Sequence, residues 1–162
     1  MEKGFHIDRI DKQILEILSE NARMPFLEVA RNVGVSGAAV HQRVQKMQDA
    51  GIIEGSRFCL DPKGLGYITC AFIGIQVNLA SDMSHQEVFK QIREIPEIVE
   101  CHHISGKYSL FVKVFTRNNE HLKNVIVDQI QKIPGVSATE TYISLEEGFQ
   151  RPLPVQQGNL PG

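Results

Sequence analysis

From Asn32 to Ile53 the chain reads NVGVSGAAVHQRVQKMQDAGII. Taking about 100° per residue, Ala38, Gln42, Gln45 and Lys46 fall on one side of a helix, opposite Val40, Val44 and Met47. Amide side chains such as Gln42 and Gln45 can pair with adenine edges, and His41 can donate. Arg43 and Lys46 can reach phosphate or guanine. Ala38 and Ala39 keep the surface slim enough to approach base edges and to touch thymine methyls. Polar outer faces are also common on helices that are merely solvated. From this pattern alone, DNA reading and a plain packing module stay equally open.

Charge tilts the balance slightly. The whole chain of 162 residues has a formal net charge of −2, so any basic surface must be local. Between Arg23 and Lys46 there are four basic residues (Arg23, Arg31, Arg43, Lys46) against the single acidic Glu28. That excess is small for a nucleic-acid binder. One copy should bind weakly, and pairing of copies should be needed.

The elements that would position this face are helices. Ile10, Ile14, Ile17 and Leu18 form one apolar stripe, with Asp8 as N-cap and Asp11 adding negative charge in the first turn. After Pro25, Phe26, Val29, Ala30 and Val33 repeat the spacing, and Gly34 suits a left-handed cap. Ser36 is a good N-cap for the third helix and, at its start, is also counted among the candidate DNA contacts. Two short helices joined by a glycine-containing turn make a helix-turn-helix.

Beyond Gly51 the pattern changes. IIEGSRFCL is β-like and DPKGLG is turn-rich, which places a hinge at 61–66. ITCAFIGIQVN alternates as a strand through Ala71, Ile73, Ile75 and Val77. SDMSHQEVFKQIREIPE reads as a helix burying Val88, Ile92 and Ile95. IVECHHIS and SLFVKVF are strands joined by a tight GKY turn. NNEHLKNVIVDQIQKIPG is a helix facing inward with Leu122, Val125, Ile126, Ile130 and Ile133, and VSATETYISL is a last strand. The order βαββαβ is ferredoxin-like. QIREIPEIVE and QIQKIPGVSA repeat at an offset of 38 residues, each ending a helix at Ile-Pro before a strand. The predicted fold is α+β. A winged-helix-like helix-turn-helix spans 1–60, a linker 61–67 and a βαββαβ domain 68–149. An extended or mobile tail covers 150–162.

With these words in this order, the chain resembles the Lrp/AsnC family of bacterial and archaeal transcriptional regulators. The match runs from IDRIDKQILEILSENAR to TETYISLEE and includes the GVS turn, VHQRVQKMQDAGII, DPKGLGY and SGKYSLFVKV. The resemblance implies a regulator of double-stranded DNA whose second domain senses an amino acid. It also implies homodimers built through that domain, often assembled to octamers. Many members carry an aspartate after the hairpin tyrosine. Ser109 stands there in this chain, giving GKYS, which is similar to the asparagine-responsive branch. AFIGI, ETYISL and AGIIEGSR lean the same way.

An amino acid offers a carboxylate and an ammonium. Gly106 permits an unusual backbone angle that can aim N–H groups of Ser105, Gly106, Lys107 and Tyr108 at the carboxylate. Tyr108 can close over the ligand beside Ser109. Glu140 can take the ammonium, with Thr139 and Thr141 as hydroxyl partners. Without the resemblance, GKYS is as readily an ordinary turn and the threonines ordinary strand residues. With it, a pocket near the hairpin, shared between dimers, is expected.

Other chemistry is weaker. His102 and His103 beside Cys101 suggest a metal, but adjacent strand residues face opposite ways and no Cys-x-x-Cys or His-x-x-x-His accompanies them. No catalytic triad order, Walker loop or GxGxxG is present, so neither enzyme nor cofactor is expected. Sirohaem decarboxylases resemble the same two-domain chain and would use histidines of the second domain. A slim, polar recognition helix argues against that reading. A sensor acting on a partner protein is a further alternative. The three scattered cysteines, with no apolar run of membrane length and no signal-peptide core, point to a reducing, cytoplasmic setting away from membranes.

Overall fold

The structure, a computed structural model, describes residues 6–78 and 84–155. Contacts divide the chain into two compact units, Met1–Phe58 with Phe149–Gly162, and Cys59–Gly148, in so far as their residues are described.

The first unit is built on three helices, α1 (Arg9–Glu20), α2 (Phe26–Val33) and α3 (Gly37–Asp49). Each starts where short-range chemistry allows. Asp8 and Asp11 form a reciprocal capping box on α1, Pro25 precedes α2, and the Ser36 hydroxyl accepts from the Ala39 amide at 3.1 Å on α3. Gly34 closes α2 with φ +76°, a left-handed angle that costs glycine nothing. Ile14, Val29, Ala30, Val40, Val44 and Met47 form the core, with Ile10, Ile17, Leu18, Phe26 and Val33 packed against it. The expected strand in IIEGSRFCL does not form. Residues 53–61 belong to no helix or strand, and Phe58 and Leu60 are each 68% exposed. A strand requires a hydrogen-bonding neighbour, and the ladders of the described residues lie within the second unit.

The second unit opens with a 3₁₀ turn at Lys63–Leu65 inside the expected linker. It continues β1 (Thr69–Val77), α4 (His85–Arg93), β2 (Ile98–His103), β3 (Leu110–Thr116), α5 (Asn119–Asn124) and β4 (Val136–Ile143). The antiparallel sheet has the order β2-β3-β1-β4. Its inner face carries Ala71, Ile73, Ile75, Leu110, Val112 and Val114, packed against Val88, Ile92, Ile95, Leu122, Val125, Ile130 and Ile133. Val77 and Ile126 are only partly buried against this core.

The segment expected as one long helix is three pieces. After α5 come a π-helical turn, Val125–Gln129, and a 3₁₀ turn, Ile130–Lys132. The wider turn adjusts the helical register while both Val125 and Ile130 stay buried. The proline repeat is structural. Pro96 and Pro134 each stand two residues before a strand, and Ile98 and Val136 each donate to the carbonyl of the isoleucine three residues back at 3.1 Å. The β2–β3 connection is longer than the expected tight turn and spans residues 104–109. The expected helix start at 81–83 and tail residues 156–162 lie outside the described residues. Residues 150–155 carry no helix or strand.

Candidate functional sites

The outer face of α3 emerges as the spacing predicts. Ala38, His41, Gln42, Gln45 and Lys46 are exposed, and Ala39 is half-buried. Their freedom differs. His41 packs edge-on against Phe26, ring centroids 5.9 Å apart. Gln45 donates to Asp49 at 2.9 Å, one turn further along the helix. Gln42, next to Ala38 on this face, is the amide left facing outward without such a tether. Ser36 acts as a cap rather than as a free donor.

Arg43 departs from expectation. Its Nη1 donates to Asp8 Oδ2 at 2.6 Å and to Asp11 Oδ1 at 2.8 Å. The guanidinium is thus turned toward the start of α1, not toward a phosphate or guanine. Its hydrogen bonds to Asp11, then to Asp8, raise the Arg43 pKa. Partial burial pushes Asp8 up, but the Asp11 amide and Arg43 outweigh it and hold its pKa below the ordinary value. Sequence reading missed this because the carboxylates sit 35 and 32 positions away.

In the second unit the hairpin residues gather on the face of the sheet away from the helices. Ser105, Gly106 and Lys107 are exposed, and Tyr108 and Ser109 half-buried. Gly106 has φ +146°, an angle that other residues rarely adopt. The Lys107 ammonium is paired with the Glu140 carboxylate and lies 5.0 Å from the centroid of the Tyr108 ring. The Tyr108 hydroxyl is 3.2 Å from that of Tyr142. Hydrogen bonding to Lys107, then Tyr142, lowers the Glu140 pKa, and the same contacts raise those of Lys107 and Tyr142. The result is a cation and an anion side by side at an open surface.

Thr139 and Thr141 do not join them. They stand opposite Ile75 and Ile73, whose side chains enter the core, whereas Glu140 stands opposite Gly74. Alternation along β4 therefore puts both hydroxyls on the other face from Glu140. Thr139 instead accepts from Gln131 at 2.8 Å. Ser109 is structural as well as local. Its hydroxyl accepts from the Val77 amide at 3.3 Å, and its own amide donates to Ile75 at 2.9 Å.

Three residues that belong to this surface were not singled out from sequence. A Cβ on Gly74 would stand 2.5 Å from Tyr108 Cδ2, so only glycine lets the tyrosine ring lie against β1. Gln76 donates to the Lys107 carbonyl at 3.2 Å and holds the loop. Tyr142 shares the face of Glu140 by the period of two. The signal for Gly74 was present, because a glycine inside a strand marks close approach of another group.

His102 and His103 divide as expected. His102 lies 3.8 Å from Glu100, while His103 turns toward Phe89 of α4, ring centroids 6.3 Å apart.

A three-helix unit presenting a slim polar helix, followed by a sheet unit with a charged open surface, defines a helix-turn-helix protein with a separate sensing domain. Residues 7–48 match the AsnC-type helix-turn-helix domain, and residues 70–154 match the Lrp/AsnC ligand binding domain. The regulatory protein AsnC of Haemophilus influenzae is 40% identical over 146 residues, covering 90% of this chain and 96% of that one. AsnC of Escherichia coli is 38% identical over 149 residues, covering 92% and 97%. The solved structure of E. coli AsnC superimposes with a TM-score of 0.85 at 37% identity, over 93% of this chain and 99% of that one. A transcriptional regulator of Neisseria meningitidis, solved with L-Met, shares the fold at TM-score 0.85 and 23% identity, over 90% and 94%. The chain belongs to the Lrp/AsnC family and is a DNA-binding transcriptional regulator with a ligand-binding domain.

Proposed function

We propose that this regulator senses asparagine at the hairpin surface and reads operator DNA through the outer face of α3. The observation that carries the effector reading is the Lys107–Glu140 pair. A zwitterionic amino acid can insert into such a pair, its carboxylate meeting Lys107 and its ammonium meeting Glu140, with the Tyr108 ring beside it. The relatives named AsnC, near 40% identity, favour asparagine among amino acids. Raising the melting temperature by mass action is the test. Asparagine at about 100 times its Kd should stabilise the protein by about 2.7 kcal/mol, and leucine at the same concentration should not. A protein that ignores asparagine but responds to another amino acid overturns the choice of effector and spares the family.

Assembly belongs to the same reading. The outer sheet face carries Phe72 stacked on Phe111 at 6.1 Å, with Phe111 in turn 6.5 Å from Tyr142. Lys113 lies 5.9 Å from the Phe72 ring and 5.3 Å from that of Phe115. A sheet with helices on one side only is completed by covering the other. A second copy of this chain fits that need, giving a homodimer that assembles further, to an octamer. The head is then residues 1–60, joined by the linker 61–67 to the sensing and assembly domain 68–149. Unpaired Cys59, Cys70 and Cys101 agree with a cytoplasmic setting. Relatives named as regulatory proteins support a regulator rather than an enzyme.

For DNA, Gln42→Ala should lower affinity for an operator selected from random duplexes by about 1–3 kcal/mol and leave random-duplex binding nearly intact. Lys46→Ala should weaken both and reduce the dependence on salt. Equal loss on both duplexes for Gln42→Ala would remove direct base reading from that position.

A further inference from the structure

We infer that Arg43 is a positioning residue for DNA recognition: it sets the rotation of α3 by binding the capping box of α1. The inference rests on the reading of α3 as the helix that meets DNA.

Four hydrogen bonds close this junction. Asp11 N donates to Asp8 Oδ1 at 2.8 Å and Asp8 N to Asp11 Oδ2 at 3.1 Å. Arg43 takes the two remaining oxygens, Asp8 Oδ2 at 2.6 Å and Asp11 Oδ1 at 2.8 Å. All four carboxylate oxygens are engaged by these bonds. Asp11 is only 5% exposed, so its charge needs a partner inside the unit. Arg43 supplies that charge from the middle of α3, immediately beside Gln42.

The remaining packing of α3 onto the unit comes mainly from Val40, Val44 and Met47 in the core, with His41 edge-on against Phe26 at its surface. Apolar contact is non-directional and tolerates a small roll of the helix about its axis. A charge-assisted bond between rigid groups does not. Base edges are read within a few tenths of an ångström and about 10–20°, so the roll of α3 decides whether Gln42 and its neighbours meet their bases. Arg43, next to Gln42 in the chain, therefore acts by holding that face, not by touching DNA.

Asp11→Asn in the full-length chain is the decisive variant. It removes a negative charge from a DNA-binding unit, so charge alone would tighten binding to every duplex. Positioning makes the opposite forecast. Operator affinity should fall at least about fivefold, random-duplex affinity should hold or rise, and discrimination should drop at all the base pairs α3 reads. Arg43→Met should show the same loss of discrimination. The double variant should be no worse than the worse single one, because both break the same junction. Arg43→Lys, which keeps a charge but carries it on a shorter, more flexible stem without the planar guanidinium, should fall between. Random-duplex binding also reports a folded head, so a general loss in Arg43→Met leaves Asp11→Asn and Arg43→Lys to decide. The inference is overturned if Asp11→Asn binds operator as tightly as wild type or more tightly. A drop of about one in the salt slope for Arg43→Met alone would make Arg43 a phosphate contact instead. Loss confined to a single base pair would make it a guanine contact. Gln42→Ala tests the underlying reading separately. If it keeps full operator preference, direct base reading at Gln42 fails, whatever Asp11→Asn shows.

Discussion

Gly74→Ala is expected to cost at least about tenfold in asparagine affinity, or about 1.4 kcal/mol, while operator binding by the ligand-free protein changes little. The reason is steric. The added Cβ would meet three atoms of the Tyr108 ring at 2.5–2.7 Å, and the ring must lift off β1. Its hydroxyl then leaves Tyr142, and the surface that carries Lys107 and Glu140 loses its aromatic wall. Gly106→Asp should give the same phenotype by different physics. It forces a side chain onto a backbone angle of +146° and adds a negative charge where the ligand carboxylate is placed. Titration calorimetry with asparagine on both variants, beside gel shifts without it, is the measurement. Wild-type asparagine affinity in both would move the effector site away from the hairpin.

Cutting the chain to residues 1–60 should weaken operator binding by on the order of a hundredfold or more, though the fragment keeps the helical core around Ile14 and Met47. A lone α3 reads few base pairs, and residues 1–60 carry eight basic and eight acidic residues, so they have no net positive charge. Joining two heads on one DNA face, a helical turn or a multiple of it apart, makes the second contact intramolecular. Circular dichroism should show the fragment to be helical, and a gel shift compares it with the full chain. Equal affinity would show that one head suffices. The effector prediction and this one are linked, because a ligand can shift assembly or head orientation only by its differential affinity for the two states.

The sheet surface also explains why the effector site was half legible. The GKYS hairpin and Glu140 announce themselves in sequence, as a glycine-containing loop and a lone carboxylate in a strand. Their pairing does not, since Lys107 and Glu140 are 33 positions apart. Thr139 and Thr141 look equivalent to Glu140 as neighbours in sequence. Only the register of β4 against β1 puts them on opposite faces, as a period of two requires.

What the sequence determined by itself is whatever is settled within a few positions. The caps at Asp8 and Ser36, the left-handed Gly34 and the proline before each of β2 and β4 are of this kind. So are the apolar periods that put Ile14, Val40, Met47, Ile73 and Ile92 inside. Each depends on local backbone geometry or on one residue's transfer from water, and both are readable along the chain. Tertiary structure alone decided which charged groups meet. It turned Arg43 from the DNA-facing side toward Asp8 and Asp11, laid Tyr108 on Gly74, and left IIEGSRFCL without a strand to pair with. The physical reason is common to all three. A long polar side chain or an unpaired backbone takes the strongest partner within reach, and that reach is measured across the fold rather than along the sequence.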